Sequence, residues 1–196
     1  MRIVPSTFLC LFIAAAARAT TIVAADLGEL SRDAQAIARG RVAAVESRWT
    51  VDHRAIETLV TLEVDTYLKG SFGPSLQFVI PGGVLGRYRS VFVGSPQFAA
   101  DQRVVVFLAA SGPALPHLVG FSQGVYRVLW SSDTNAWMVA PTPALPATAT
   151  TPIVRGDPAR VAVPLATFEQ QVRALSSMPR RIAPKAPLAN HAGGAR

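Results

Sequence analysis

The side chains of this 196-residue chain that could do chemistry fall into small, separated sets. Its three histidines are His53, His117 and His191. Catalytic zinc takes three protein ligands, often two of them close together on one element. Here His53 lies in a polar loop, His117 follows Pro116, and His191 is near the end of the chain. They read as solvated loop residues, and no metal site is assigned. Glu57, Glu63 and Asp65 share one face of a strand-like segment. Paired carboxylates cleave glycosides when they sit ~5–9 Å apart in a cleft and one has a raised pKa. A solvated strand face explains these three more simply. Pro81-Gly82-Gly83-Val84-Leu85-Gly86 shares only its glycine content with a phosphate loop. No Lys-Ser/Thr comes after it, and no helix supplies a dipole. No Ser-His-Asp triad is assigned either, so the expectation is no catalytic residue, no metal and no cofactor.

The stretch Pro81–Pro96 is chemically richer for binding. It combines Gly82 and Gly83 with Arg87, Tyr88, Arg89 and Phe92, and aromatic residues with arginine form the mixture that anchors interfaces. The alternative is an irregular edge strand whose aromatics fill the mouth of a barrel. Trp49, Trp130 and Trp137 read as core residues or barrel-end plugs.

The elements that must position these residues are mostly strands. Asp26–Asp33 reads as a short helical turn or two. Ala36–Arg48 reads as a long strand in which Gly40 permits a bend or bulge, and Val51–Ala55 as a loop of hairpin length. Ile56, Thr58, Val60, Leu62 and Val64 alternate with Glu57, Thr61, Glu63 and Asp65, the period of a half-buried strand. Leu76, Phe78 and Ile80 mark another strand, and the apolar run Arg103–Ala109 a central one. Leu118–Phe121 and Val125–Trp130 read as strand pieces broken at Ser122-Gln123-Gly124, with a bulge at Gln123-Gly124. Trp137–Val139 pairs back through Ser131–Asn135.

These elements divide the chain into regions. Residues 20–140 form the barrel domain, 141–163 a Pro/Ala/Thr-rich linker, and 178–196 a disordered basic tail. The linker reads as a plain spacer in preference to a glycosylated stalk. Between linker and tail, Leu165, Phe168, Val172 and Leu175 fall at helical spacing behind Pro164, predicting an amphipathic helix over 164–177 packed on the barrel. The fold class is therefore mostly β: a small OB-like (Greek-key) barrel of five to six strands with a short C-terminal amphipathic helix.

An apolar fraction of 50% against 16% charged residues describes a foldable chain. The net charge of +7 invites a nucleic-acid reading. However, Arg2 and Arg18 precede the body, and Arg180, Arg181, Lys185 and Arg196 come after it, with no acid beyond Glu169. The folded body is nearly neutral and lacks the phosphate-neutralising patch that nucleic acid requires. Met1–Ala19 has the parts of a cleavable signal peptide: Arg2, the apolar run Phe8–Ala17, and the small-x-small site Ala17-Arg18-Ala19. Arg18 interrupts the apolar run short of the ~20 residues a transmembrane anchor needs, so a cleaved signal is the reading, with an uncleaved N-terminal anchor as the alternative. Cleavage after Ala19 removes Cys10, the single cysteine, so the exported chain, periplasmic or secreted, has neither disulfide nor thiol chemistry.

Four segments carry a resemblance. They are Ala34–Val42, the strand end Val64-Asp65-Thr66-Tyr67-Leu68-Lys69-Gly70, Pro81-Gly82-Gly83, and Gly120–Val128. Together, over roughly residues 26–140, they resemble uncharacterised exported bacterial domains of the kind sometimes found ahead of matrixin-type metalloproteases. The strand–hairpin–strand–Lys-Gly layout also resembles the OB barrel of tissue inhibitors of metalloproteinases and netrin-like modules. The resemblance implies a barrel and leaves function open. The protease's His-Glu-x-x-His is absent, as is the inhibitors' zinc-chelating N-terminal cysteine. The resulting expectation is a non-catalytic binding or interaction module for an envelope protein or peptide. The alternatives are an envelope hydrolase using carboxylates on the barrel face and a protease-inhibitor-like module.

Overall fold

A computed structural model describes residues 25–142 and 161–178. The expected signal peptide, most of the linker and the tail after Met178 lie outside the described residues. The first element is α1 (Leu27–Asp33). Its start is fixed by a capping box: the Asp26 carboxylate accepts from Glu29 N at 2.6 Å, and the Glu29 carboxylate accepts from Asp26 N at 3.1 Å.

Two long strands come next, β1 (Ala36–Trp49) and β2 (Ile56–Lys69), paired antiparallel. Their register slips between Arg39 and Gly40, where the anticipated glycine sits. A Cβ there would lie 2.1 Å from the Glu63 carbonyl oxygen, so only glycine fits. The alternation in β2 holds, with Ile56, Thr58, Val60 and Leu62 buried. After them are β3 (Ser75–Pro81), β4 (Gly83–Leu85), β5 (Tyr88–Ser90), β6 (Arg103–Ala109) and β7 (His117–Leu118). The last are β8 (Val125–Ser131), β9 (Ala136–Pro141), β10 (Val163–Pro164) and α2 (Leu165–Ser176).

Five strands close a ring. β1 pairs with β2, β2 with β3, β3 in parallel with β7, β7 with β6, and β6 with β1. Counting ring strands alone, the circuit runs first, second, third, fifth, fourth, first, which is the OB-type arrangement. β7 contributes two residues, yet it carries closure: Val79 N donates to Pro116 O at 3.0 Å and Val119 N to Phe107 O at 2.9 Å. The remaining edge of β6 pairs with β8, which continues the sheet through β9 and β10.

Because β6 is flanked on both edges and covered on both faces, its residues Val104–Leu108 are all buried. Val104, Val106 and Leu108 point into the ring with Val60, Leu62, Leu76 and Phe78. Val105 and Phe107 point outward into a second core with Leu30, Tyr126, Val128, Val139, Phe168 and Val172, roofed by α1 and α2.

Two local expectations need correction. Phe121–Gly124 forms a 3-10 turn where a bulge was anticipated. It turns there because Gly120 takes a left-handed φ of 67° and Gly124 packs against the chain itself, a Cβ on it falling 2.0 Å from Val119 O. Trp130 and Trp137 are also not plugs, being 52% and 42% exposed. They continue the face of Tyr126, Val128 and Val139 along β8 and β9 and remain exposed there. No helix among the described residues is long and apolar enough to cross a membrane.

Candidate binding site

The stretch expected to be irregular contains a hairpin, β4–β5, with Val84 opposite Arg89 and Leu85 opposite Tyr88. It is rooted at the tip end of β1 and β2. Gly82 N donates to Ile56 O at 2.9 Å, and the Thr58 hydroxyl donates to Gly82 O at 2.7 Å. Val84 N donates to Ser47 Oγ at 3.3 Å. The backbone comes so close at Gly83, φ 149°, that a Cβ would meet Ser47 Oγ and Thr58 Oγ1 at 2.6 Å. Gly82 and Gly83 thus root the hairpin, and both also line the groove beside it. The returning chain is held by the Ser95 hydroxyl donating to Pro81 O at 2.8 Å and by Ser122 N donating to Gly94 O at 3.0 Å.

On this frame Tyr88 lies between Trp49, edge-on at 5.4 Å, and Arg87, whose guanidinium carbon is 5.0 Å from the ring centroid. Arg87 Nη2 also donates to the Tyr88 hydroxyl at 2.9 Å. Phe92 leans on Phe121, with centroids 5.3 Å apart, and stays 42% exposed. The aromatic that fills the barrel mouth is Phe98, edge-on to Phe78 at 5.5 Å. Val84, Val91 and Val93 are exposed as well. Alongside runs a groove of about 390 Å³ whose lining includes Val45, Ile80, Val84, Arg89, Val91 and Phe98. The structure thus brings Tyr88, Arg87, Arg89 and Phe92 to one end of the barrel. The groove wall contributed by Val45, Ser47 and Thr58 had no signal in the sequence, since these residues belong to the long β1–β2 hairpin.

The electrostatics set this end apart. Arg87 and Arg89 have no carboxylate partner among the described residues, and the sequence from Pro81 to Ala100 contains no acid. The barrel face is compensated instead. Glu57 pairs with Arg48 at 2.8 Å, Glu63 with Arg41 at 2.6 Å, and Asp65 with Arg103 at 3.3 Å and Arg39 at 3.8 Å. Hydrogen bonds from Arg41 to Glu63 and Asp101 hold its guanidinium above its ordinary pKa. His53 and His117 are exposed, and no group of three metal-ligating side chains occurs among the described residues. His191 lies outside them.

Gly120-Phe121-Ser122-Gln123-Gly124 has the spacing of a nucleophile elbow, although that motif requires a strand-turn-helix context with the serine exposed. Here the turn leads into a strand, Ser122 is buried, and the spatial demands at Gly120 and Gly124 account for both glycines. The match is structural.

A second exposed aromatic pair, unanticipated as a surface feature, lies on the outer face. Trp130 and Trp137 face each other across β8 and β9, edge-to-face at 5.4 Å, and Arg103 sits 5.5 Å over the Trp137 ring. A cleft of about 270 Å³ beside them is lined by Arg39, Asp65, Arg103, Val128, Trp137 and Leu165. The equal spacing of the two tryptophans about Ser131–Ala136 is the sequence signal that would have paired them.

No protein family matches the chain, and neither does any curated protein or solved structure.

Proposed function

We propose that the chain is an exported, non-catalytic binding module whose partner is a protein or peptide of the cell envelope, engaged by the β4–β5 end of the barrel. The observation that carries this reading is the hairpin itself. With the segment that leaves it, the hairpin presents Tyr88, Phe92 and the exposed Val84, Val91 and Val93 beside a groove, with two arginines lacking a carboxylate. Exposed apolar surface next to rigid aromatic and arginine anchors is what binding surfaces are made of. Export rests on the Arg2, Phe8–Ala17 and Ala17-Arg18-Ala19 pattern, and N-terminal sequencing of protein recovered outside the cytoplasm should read from Thr20.

The test of binding is selection of ligands from a displayed random-peptide library against the full chain. Selected peptides should lose ~2 kcal/mol or more of affinity when Arg87→Ala and Tyr88→Ala are combined. The double variant should unfold within about 0.5 kcal/mol of the parent. A library that yields no ligand, or ligands indifferent to the double substitution, overturns the reading.

A further inference from the structure

The hairpin is unusual in its company. β4 and β5 form a two-stranded sheet of their own. β4 is backed by Ser47 of β1 and Thr58 of β2, whereas among the described residues the outer edge of β5 pairs with no strand. Two strands alone are marginally stable in water, and an open edge offers backbone donors and acceptors to any extended segment that can reach it. Beyond Ser90 the chain runs on through Val91, Phe92 and Val93, all exposed. Resting on the binding-module reading, we propose that β5 receives an extended, carboxylate-bearing peptide as a third strand.

Three observations select that occupant. First, Val84, Arg89 and Val91 all line the groove, and Val84 and Arg89 are cross-strand partners. A strand added antiparallel to β5 therefore places the side chain opposite Arg89 on the groove face. If the pairing continues past Ser90, where β5 ends, the residue two positions along comes opposite Val91 on the same face, because strand side chains alternate with period two. The groove thus asks for an acid and, two residues away, an apolar side chain. Second, the region from Pro81 to Ala100 holds Arg87 and Arg89 against no acid, so a carboxylate opposite Arg89 meets an uncompensated cation. Third, the same arginines disfavour competing occupants. Antiparallel pairing of β5 with a second copy centred on Arg89 sets guanidinium against guanidinium, and like charges directly opposite destabilise a sheet. The chain's own C-terminal segment brings Arg180, Arg181, Lys185 and Arg196 and is repelled in the same way.

The experiment measures binding of the full chain to short peptides of alternating Thr and Val bearing one central Glu. Replacing that Glu by Gln should weaken binding about fivefold, the upper end for a cross-strand ion pair. Arg89→Glu should weaken the Glu peptide roughly thirtyfold, twice that free energy, and should turn preference towards a Lys peptide. N-methylating alternate peptide amides on the pairing edge should cost about tenfold, as for lost backbone hydrogen bonds, while methylation on the other edge should cost little. Indifference to the acid or to N-methylation overturns the strand-addition proposal, as does failure of every peptide in the series. In those cases the broader reading stands if library-selected ligands still depend on Arg87 and Tyr88. Binding to vesicles of anionic lipid that Arg89→Glu abolishes and the peptides do not compete for would assign the edge to a lipid surface and also overturn it. So would sedimentation showing a dimer that Arg89→Glu dissociates.

Discussion

The two faces of β6 bury neighbouring residues of one strand by different means. On the inner face Val104, Val106 and Leu108 meet side chains from other strands of the sheet, Val60, Leu62 and Phe78 among them. On the outer face Val105 and Phe107 meet α1 and α2, and polar clamps hold that roof in place. Lys69 Nζ donates to the carbonyls of Ser31 and Arg32 at 2.7 and 3.1 Å, tying the end of α1 to β2. Burial lowers the pKa of that ammonium, with Asp33 opposing the shift. Arg39 reaches from β1 to Glu169 of α2 at 2.5 Å. A closed ring is held by backbone pairing all round, whereas a docked helix is held by its apolar stripe and its clamps. Damage inside the ring should therefore be felt globally, and damage under the roof locally.

The largest effect expected is for Phe78→Ala, which empties the centre of the ring. It should cost ~3–5 kcal/mol in urea denaturation, the range for fully buried phenylalanines, with amide protection lost across all ring strands together. Phe168→Ala removes the same side chain from the outer core. Its cost should be smaller, about 2 kcal/mol, because undocking of α2 limits the loss to the docking free energy. Hydrogen exchange should then show α2 opening while β1–β3 stay protected. Equal global losses for the two variants would mean that the cores form one cooperative unit.

The clamp is sharpened by a double-mutant cycle on Arg39→Ala and Glu169→Ala. Both side chains are partly exposed, so the coupling should be about 1 kcal/mol at low salt and fall as salt is added. A coupling that ignores salt would place the pair in a drier setting than its exposure indicates. Smallest of all is an effect outside both cores. The Asp52 carboxyl is held below its usual pKa by the Thr50 hydroxyl and then by Arg54 N–H. A depressed carboxyl contributes stability above its unfolded value of 3.8, and this is lost as pH falls through the lower folded value. Amide exchange at the 50–55 turn should therefore quicken at acid pH, and Asp52→Ala should erase that pH dependence without touching either core.

Much of this architecture was legible because it has a period. The alternation along Ile56–Val64, the unbroken run Arg103–Ala109 and the spacing of Phe168 and Val172 each emerged as the expected element. The features that escaped were too short or too long-range to leave a pattern. β7 closes the ring with two residues, which have no periodicity. The 3-10 turn at Phe121–Gly124 arises from close chain contact at Gly124, which only the folded backbone creates. Trp130 and Trp137 looked like core residues by type, and how far the helical roof extends over their strands decides their exposure. Within the candidate site, the arginines and aromatics were readable as residue types. That Phe98, and not Phe92, would enter the barrel mouth was not.

The pairing of β1 with β6 also sets an order of events. The β1–β2 hairpin is local, and hairpins form in microseconds. Closing the ring joins segments roughly 65 residues apart, and such long loops slow the search for native contacts. Until β6 arrives, the edge of β1 at Ala36–Arg41 is bare beside Ala36, Ile37 and Ala38, the most deeply buried part of that strand. While it folds, the chain is therefore most prone to aggregate at an edge the finished protein conceals, and a chaperone protecting it would have to cover β1 until β6 docks.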